Sequence, residues 1–472
     1  MIRLLIEKEL REILGSTKFA ITFGVCSILI ILSFYVGAGN FLIWSRQYEA
    51  AQRENLRRLD GVTDWFSVQQ NSIYLPPQPL AALVTGISND IGRTVEVHGR
   101  GELSADDSRF NEDPIFAIFR FLDLDFIFQI VLSLFAILFA YDSVNGEKER
   151  GTLRLAFSNS IPKEKFILGK LAGAYLGLGL PLLVPMLIGC SLLPALGVPM
   201  TGDEWARLGL IIGAGFLFFG VFMTLSVMVS SLTRRSASSF LVLLVVWVLA
   251  VIITPRLAVI LAGRAVDVPS VDEVASQKSR YSAQLWNDDR KKLAAYQPSQ
   301  AGSDPQTVMQ QLNKFMQDIA DARDKKMQEF GGQLNEEREN RRRIQQRIAL
   351  GLARLSPAAA FSLAATTLAG TSLELEHRYQ DAASEYQKSF AQFMMQKTGM
   401  VTGGRMMVMR SVVEDGKKPG PINPNELPKF TYRPAGLGEV FGAGMPDLGL
   451  LALFNLVFFL GAYLGFMRYD VR

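Results

Sequence analysis

Residues 207–231, RLGLIIGAGFLFFGVFMTLSVMVSS, and residues 237–262, ASSFLVLLVVWVLAVIITPRLAVILA, decide the fold. Each run is long enough to cross a bilayer, which takes roughly 20 mostly apolar residues at a 1.5 Å rise. A short break carrying Thr233, Arg234 and Arg235 separates them. Working outward, four more apolar runs stand at about 19–38, 121–141, 166–190 and 447–466. The reading is an all-α membrane protein with about six transmembrane helices. Asp123 and Asp125 open the second run, where water or headgroups reach them, and Gly and Pro punctuate the third.

The stretches between the runs differ in kind. Residues 1–18 read as an amphipathic helix for the membrane–water interface, with Ile6, Leu10 and Ile13 on its apolar side and Arg3, Glu7, Lys8, Arg11 and Glu12 opposite. Residues 39–114 are polar, begin helix-like and carry turn signals at Pro76-Pro77 and Asn89-Asp90. Residues 142–165 form a charged loop. Residues 263–446 make the largest polar segment, expected to be mainly helical. Within it Val308, Leu312, Phe315, Ile319, Met327, Phe330 and Leu334 step mostly by three or four. Glu337 with Arg341 and Glu339 with Arg343 add i,i+4 pairs. Together with 271–296 this predicts a long helical hairpin over 271–349, followed by a further helix from Ser372 to about Lys397 and an irregular proline-rich return over 415–435. Residues 353–370, ARLSPAAAFSLAATTLAG, are mildly apolar and threaten the count. They read as an amphipathic element on the outer membrane surface or in a domain core rather than a seventh span.

Short-loop charge sets the orientation. Basic residues cluster in the N-terminal segment, in the 142–165 loop, at Arg234-Arg235 and in the tail at Arg468 and Arg472, whereas the 197–206 loop has none. Six spans put all of these clusters in the cytoplasm with both termini, and leave 39–114 and 263–446 outside. The expected location is a bacterial inner membrane, with the chain multi-pass and in contact with lipid.

The 472 residues carry a net charge of only +4, too little to argue for nucleic acid. The two cysteines, Cys26 and Cys190, both lie in apolar runs, which argues against a disulfide framework. No cleavable signal peptide is expected. Enzyme signatures are absent: neither H-E-x-x-H nor G-x-S-x-G occurs. Glu374 and His377 have a ligand-like i,i+3 spacing, and Glu102 with Asp106-Asp107 could hold a cation, but a solvated helix and an ordinary loop explain these better. No G-x-x-x-x-G-K-[ST] occurs; Gly169-Lys170 is followed by Leu171 and preceded by no Gly-rich loop. ATP energy would therefore have to come from another polypeptide.

The strongest local signal is YDSVNGEKERGTLRLAFSNSIPKEKFILGK, residues 141–170. It contains a short charged stretch, Glu147, Lys148, Glu149 and Arg150, then Gly151, Thr152, Leu153, Leu155 and Phe157. A short amphipathic helix here can dock its apolar side chains into a soluble partner while its charges set register. The string resembles the cytoplasmic coupling segment of ABC-transporter permeases of the type-2, exporter-like family. The match runs through Gly151-Thr152-Leu153, Ser158, Asn159, Gly169 and Lys170, and departs at Ser160-Ile161-Pro162, where proline comes late. It extends to the N-terminal helix, the span order and Arg468-Tyr469-Asp470-Val471-Arg472, most nearly in the subgroup with large outer insertions.

The resemblance implies a permease without its own ATPase site, docked through 146–157 and the N-terminal helix on separate ABC ATPase subunits that hold the ATP and magnesium. It also implies a second permease, a copy or a paralogue, alongside. Span five, with Ala237, Ser238, Ser239 and Trp247, or span one, with Gly37 and Gly39, is the expected meeting face. Export of a substrate is the leading expectation. The alternative is a mechanotransmission subunit that pushes a periplasmic or cell-surface partner without transport.

Overall fold

The computed structural model describes residues 2–88, 91–99, 103–106, 123–153, 157, 162–296, 305–398 and 421–468. They form two compact units, one made of residues up to Thr254 and from Arg354 onward, the other of Pro255–Ala353.

In the first unit, α1 (Ile2–Leu14) stops where Ser16 caps the next helix, accepting from Phe19 N at 3.2 Å. α2 (Thr17–Arg57) then runs 41 residues unbroken, so span one and the helix-like stretch after it are a single rod. α3 combines Leu124–Phe126, a π-helical Ile127–Leu132 and Ser133–Ala140. A five-residue helix, α4 (Asn145–Glu149), follows. α5 (Lys163–Ala195) and α6 (Gly202–Leu232) come next, the latter opened by a capping box between Thr201 and Glu204. α7 runs Ser236–Ala265 and has its own π segment, Val248–Ile253. The last described helix, α12, spans Leu437–Met467.

Among the described residues six helical stretches, α2, Leu124–Glu149 (α3 with α4), α5, α6, α7 and α12, are long and apolar enough to cross a membrane. Contacts sort the ends of the five that lie wholly in the first unit, together with the start of α7. One, the basic end, brings together α1, the 142–165 loop and the turn at Thr233, through Lys8–Glu147 and Asn145–Thr233. The other, the sheet end, joins Arg207 to the Ala435 carbonyl and Asp203 to the Leu437 amide.

At the sheet end a second core forms around three antiparallel strands, β1 (Gln70–Tyr74), β2 (Thr94–His98) and β3 (Ser104–Asp106), in register Ile73↔Val95 and Val95↔Ala105. The sequence reading gave the 39–114 stretch no strands. β2 alternates in burial as a half-buried strand should, but five residues are too few to stand out by eye. α11 (Leu373–Thr398) covers the sheet with Leu375, Tyr379, Ala383, Tyr386, Phe390 and Met394, one face at steps of three and four. The Tyr379 hydroxyl donates to the Arg93 carbonyl at 2.9 Å.

α10 (Pro357–Ala369) is the ambiguous 353–370 stretch. It is too short to span, and it does not rest on a surface. Ala358, Ala360, Phe361, Ala364 and Ala365 are fully buried, with Phe361 stacked 5.0 Å from Phe218 and 5.4 Å from Phe128. Small side chains let it approach its neighbours closely. Gly370, at φ 74°, ends it in a left-handed cap that a side chain would strain. Just before it, Arg354 grips the buried Asp447 bidentately at 2.6 and 3.1 Å.

The second unit contains the expected hairpin. α8 (Val271–Ala294) and α9 (Pro305–Ala353) pair antiparallel, with Tyr296 on Phe315 at 4.5 Å, Asp289 with Arg323 at 3.2 Å and Tyr281 on Phe330 at 4.1 Å. The polar segment 263–446 is therefore not one domain: its hairpin belongs to this unit, and α10, α11 and residues 421–446 to the first.

Of the residues expected at the meeting faces, Ser239, Trp247 and Gly37 look inward, whereas a Cβ on Gly39 would meet nothing within 4 Å. Ser239 is fully buried, Trp247 donates to Ser133 at 2.8 Å, and a Cβ on Gly37 would stand 2.6 Å from the Ala82 carbonyl oxygen. Ala237 and Ser238 remain exposed.

Candidate functional site: a charged hub at the basic end

α4 is too short to hold itself together, and its bonds come from elsewhere. Ser230 Oγ of α6 accepts from the Val144 and Asn145 amides, each at 3.1 Å, the donors a helix start leaves without partners. Asn145 Nδ2 donates to Thr233 Oγ1 at 2.9 Å and Lys148 Nζ to the Ser231 carbonyl at 2.9 Å. The Glu149 carboxylate accepts from the Ser236 amide at 2.9 Å and its hydroxyl at 2.8 Å. It thereby caps α7, which lacks a cap from its own chain neighbour, at the end where the helix dipole favours negative charge.

Glu147 turns inward. Lys170 Nζ of α5 lies 2.6 Å from the Glu147 carboxylate and 2.6 Å from that of Glu9 on α1, while Lys8 reaches Glu147 at 2.9 Å. Glu9, Glu147 and Lys170 are all buried. Burial pushes the Glu9 carboxyl above its ordinary range, against the pull of Lys170. Desolvating three charges is costly, and their mutual attraction offsets it only because one ammonium bridges two carboxylates.

The seat of α1 explains why these groups meet. Gly169, Gly173 and Gly177 form a stripe on α5 at four-residue steps. A Cβ added to them would lie 2.8 Å from Leu5 Cβ, 2.6 Å from Glu9 Cβ and 3.3 Å from Ile13 Cδ1 respectively. The register advances in step, so α1 and α5 run in the same direction in close contact. Ile6 and Leu10 face the same groove, so the apolar side read for the membrane surface largely covers α5.

Beyond α4, Gly151 turns the chain at φ 72°, a conformation that favours glycine. Thr152, Leu153 and Phe157 are again helical. Leu153 is buried in a cluster with Phe166, Ile167 and Phe466, and the Phe157 ring lies 5.5 Å from Phe166 and 5.9 Å from Phe466. These two side chains face the chain's own core. Leu155, Ser158 and Asn159 lie outside the described residues. What the segment presents outward is Glu149, Arg150, Gly151 and Thr152, flanked by Glu7, Arg11 and Glu12 of α1; Arg150 reaches Glu12 at 3.5 Å.

The hub thus brings together all the residues expected at the coupling segment that are described, and it adds Lys170, Glu9 and Ser230. Sequence reasoning noted Lys170 only as part of a failed P-loop and of the family string. Two signals could have found it: a lysine inside an apolar run and glycines at 169, 173 and 177. Of the isolated acid-and-histidine motifs, Glu374 pairs with Arg378 at 3.4 Å. Among the described residues no group of three or more His, Cys, Asp and Glu is placed to hold a metal ion.

A family model described as ABC-2 family transporter protein matches residues 3–471. The chain belongs to the ABC-2 transporter family. No curated protein matches it. An ABC-2 permease is a multi-pass membrane subunit of an ABC transporter, generally not itself catalytic, and normally works with ABC ATPase subunits. The match covers α1, the hub and all six spans of this permease together.

Proposed function

We propose that this permease receives ATP-driven motion at its basic end and uses it to export a substrate across the bacterial inner membrane, with both termini cytoplasmic. One observation carries the reading: a five-residue helix is tied by side chains to α1, α5, α6 and the start of α7. Displacing that helix displaces four elements at once, and packing of Leu153 against Phe466 adds α12. The partner ATPase would supply the ATP and magnesium. It would touch the exposed rim Glu149–Thr152 and the outer face of α1, with Glu147 and Leu153 relaying motion inside and not contacting it. Two permeases would stand side by side.

The test is co-purification with the ATPase. Arg150→Glu combined with Thr152→Trp changes only exposed positions and should release the ATPase while the permease keeps its melting temperature. Retention of the ATPase with undiminished transport would overturn the assignment.

Mechanotransmission is the second reading, favoured by α9, whose 49 residues extend about 74 Å by helical rise. Substrate flux in vesicles reconstituted with the ATPase separates the two: flux supports export, and ATP turnover with no flux supports force transmission.

A further inference from the structure

Two of the spans leave the α-helical path at the same level. α3 runs from the sheet end to the basic end, and α7 starts back from the basic end. Their π segments are Ile127–Leu132 and Val248–Ile253. Both lie on the sheet side of one buried contact, in which Trp247 Nε1 donates to Ser133 Oγ at 2.8 Å. On the basic side of that contact both helices are regular, and the rings of Tyr141 and Phe240 pack 5.4 Å apart.

Each π segment has a local cause. In an α-helix the Ser133 amide would bond to the Gln129 carbonyl, four residues back. Here the Ser133 hydroxyl donates to that carbonyl, and the amide bonds to Ile130 and Phe128, three and five back. A side chain that enters the ladder in this way diverts the helix. In α7 the Thr254 amide bonds to Leu249, five back, while the Ala250 carbonyl accepts from Ser356 Oγ at the start of α10. Pro255 follows and has no amide to offer Val251. The α7 segment is thus fixed by a residue that cannot donate, whereas the α3 segment depends on one rotatable hydroxyl.

Trp247 decides where that hydroxyl points. Ser133 is fully buried, so water does not compete for it. While the indole donates to its oxygen, its own hydrogen is directed back along α3 to Gln129. Sliding of α3 against α7 withdraws the indole and frees the hydroxyl to rotate. The Gln129 carbonyl is then open to the Ser133 amide, and the turn closes as α-helix. The sheet-end part of α3 advances by one residue, about 100° around the axis and about 1.5 Å along it. That part carries Phe128, which packs on Phe361 of α10 and fills the notch at Gly215 of α6. It also carries Asp125, which accepts from Ser362 of α10 at 2.9 Å.

We infer that the Ser133–Trp247 contact is the catch of a two-state joint in α3, π when made and α when broken, through which displacement of the hub turns the sheet end of this span. The drive, though not the joint, rests on the reading that the hub receives ATP-driven motion.

The test uses the full-length permease in nanodiscs, with Cys26→Ala and Cys190→Ala. Spin labels are placed at Phe126→Cys and Ala206→Cys, exposed positions at the sheet ends of α3 and α6. Double electron–electron resonance reads the distance between them. Ser133→Ala should raise the population of a second distance, relative to the first, about fivefold over wild type, the net worth of one hydrogen bond. Trp247→Phe leaves Ser133 in place and should act in the same direction, which covers the case in which Ser133→Ala does not fold. Distributions identical to wild type in the variants would overturn the joint. ATP and vanadate are then added to the wild type with the ATPase bound. A shift toward the second distance supports drive from the hub. A shift in the variants with no response to trapped nucleotide keeps the joint and overturns the ATP-driven reading instead.

Discussion

The hub and the hairpin use the same ion pairs to opposite effect. In the hairpin, Glu337 and Arg341 sit one helical turn apart at 2.6 Å, both about half exposed. At the hub, Lys170 bridges Glu9 and Glu147 at the same 2.6 Å, but its side chain is 5% exposed and its partners come from two other elements. Distance does not distinguish the two sites; burial does. Water screens the hairpin pair, and its apolar seam carries the stability. At the hub no water replaces a missing partner, so the two carboxylates depend on the lysine between them.

Lys170→Met gives the largest expected effect. It leaves the Glu9 carboxylate buried without its cation and Glu147 with Lys8 alone, and should destabilise the basic end by about 3–5 kcal/mol. Hydrogen exchange should show α1 and α4 opening together while the hairpin is unchanged. The triple variant Glu9→Leu, Lys170→Met and Glu147→Leu removes all three charges. It should restore much of the stability, because apolar replacement of a complete buried ion cluster is often neutral. If the single and triple variants melt alike, the contrast with the hairpin fails.

Ile319→Ala comes next. This residue lies in the hairpin seam and is 9% exposed. Its loss should cost about 2 kcal/mol, read as faster exchange confined to α8 and α9. Phe315→Asp, which breaks the stack on Tyr296, should act in the same direction.

Glu9→Gln should be milder than Lys170→Met, and its sign depends on pH. Burial raises the folded-state pKa of Glu9 above its unfolded value, so the ionised form opposes folding at neutral pH. As pH falls through that raised value the folded protein takes up the proton first. Wild-type stability should therefore rise relative to Glu9→Gln on acidification, measured as the difference in melting temperature across the acid range. A difference that is flat with pH would show that Glu9 does not titrate there. Smallest of all, Glu337→Gln should change hairpin stability by no more than about 0.5 kcal/mol.

The sequence made the spans, the hairpin and the α11 face legible for one reason: each is a local periodicity. Span boundaries shifted because helices overrun the membrane. α2 continues to Arg57 because nothing from Ala38 onward caps or breaks it. The hub was half legible. Its segment stood out as a string, but Leu153 and Phe157 were read as outward anchors, since one amphipathic loop looks the same whether its partner is another protein or its own core. Lys8 and Glu147 are 139 residues apart, and no local pattern pairs them. α10 was left between surface and core for a related reason. An alanine-rich helix has no polar face to mark a surface, and its burial follows from Phe128 and Phe218, which are distant in sequence.

Ser230, which accepts the two amides that begin α4, also bears on biogenesis. A ribosome delivers Asn145 well before it delivers Ser230, so during synthesis the loop leaves the translocon with its first turn uncapped. It can settle only after span four has been inserted and has returned its end to the same side. Nascent chains stalled before residue 230 should therefore keep the 142–165 loop open to protease, and chains stalled after span five should protect it. Completion of the loop would then report that the spans entered in the right order, a check on membrane insertion made before any ATPase could bind.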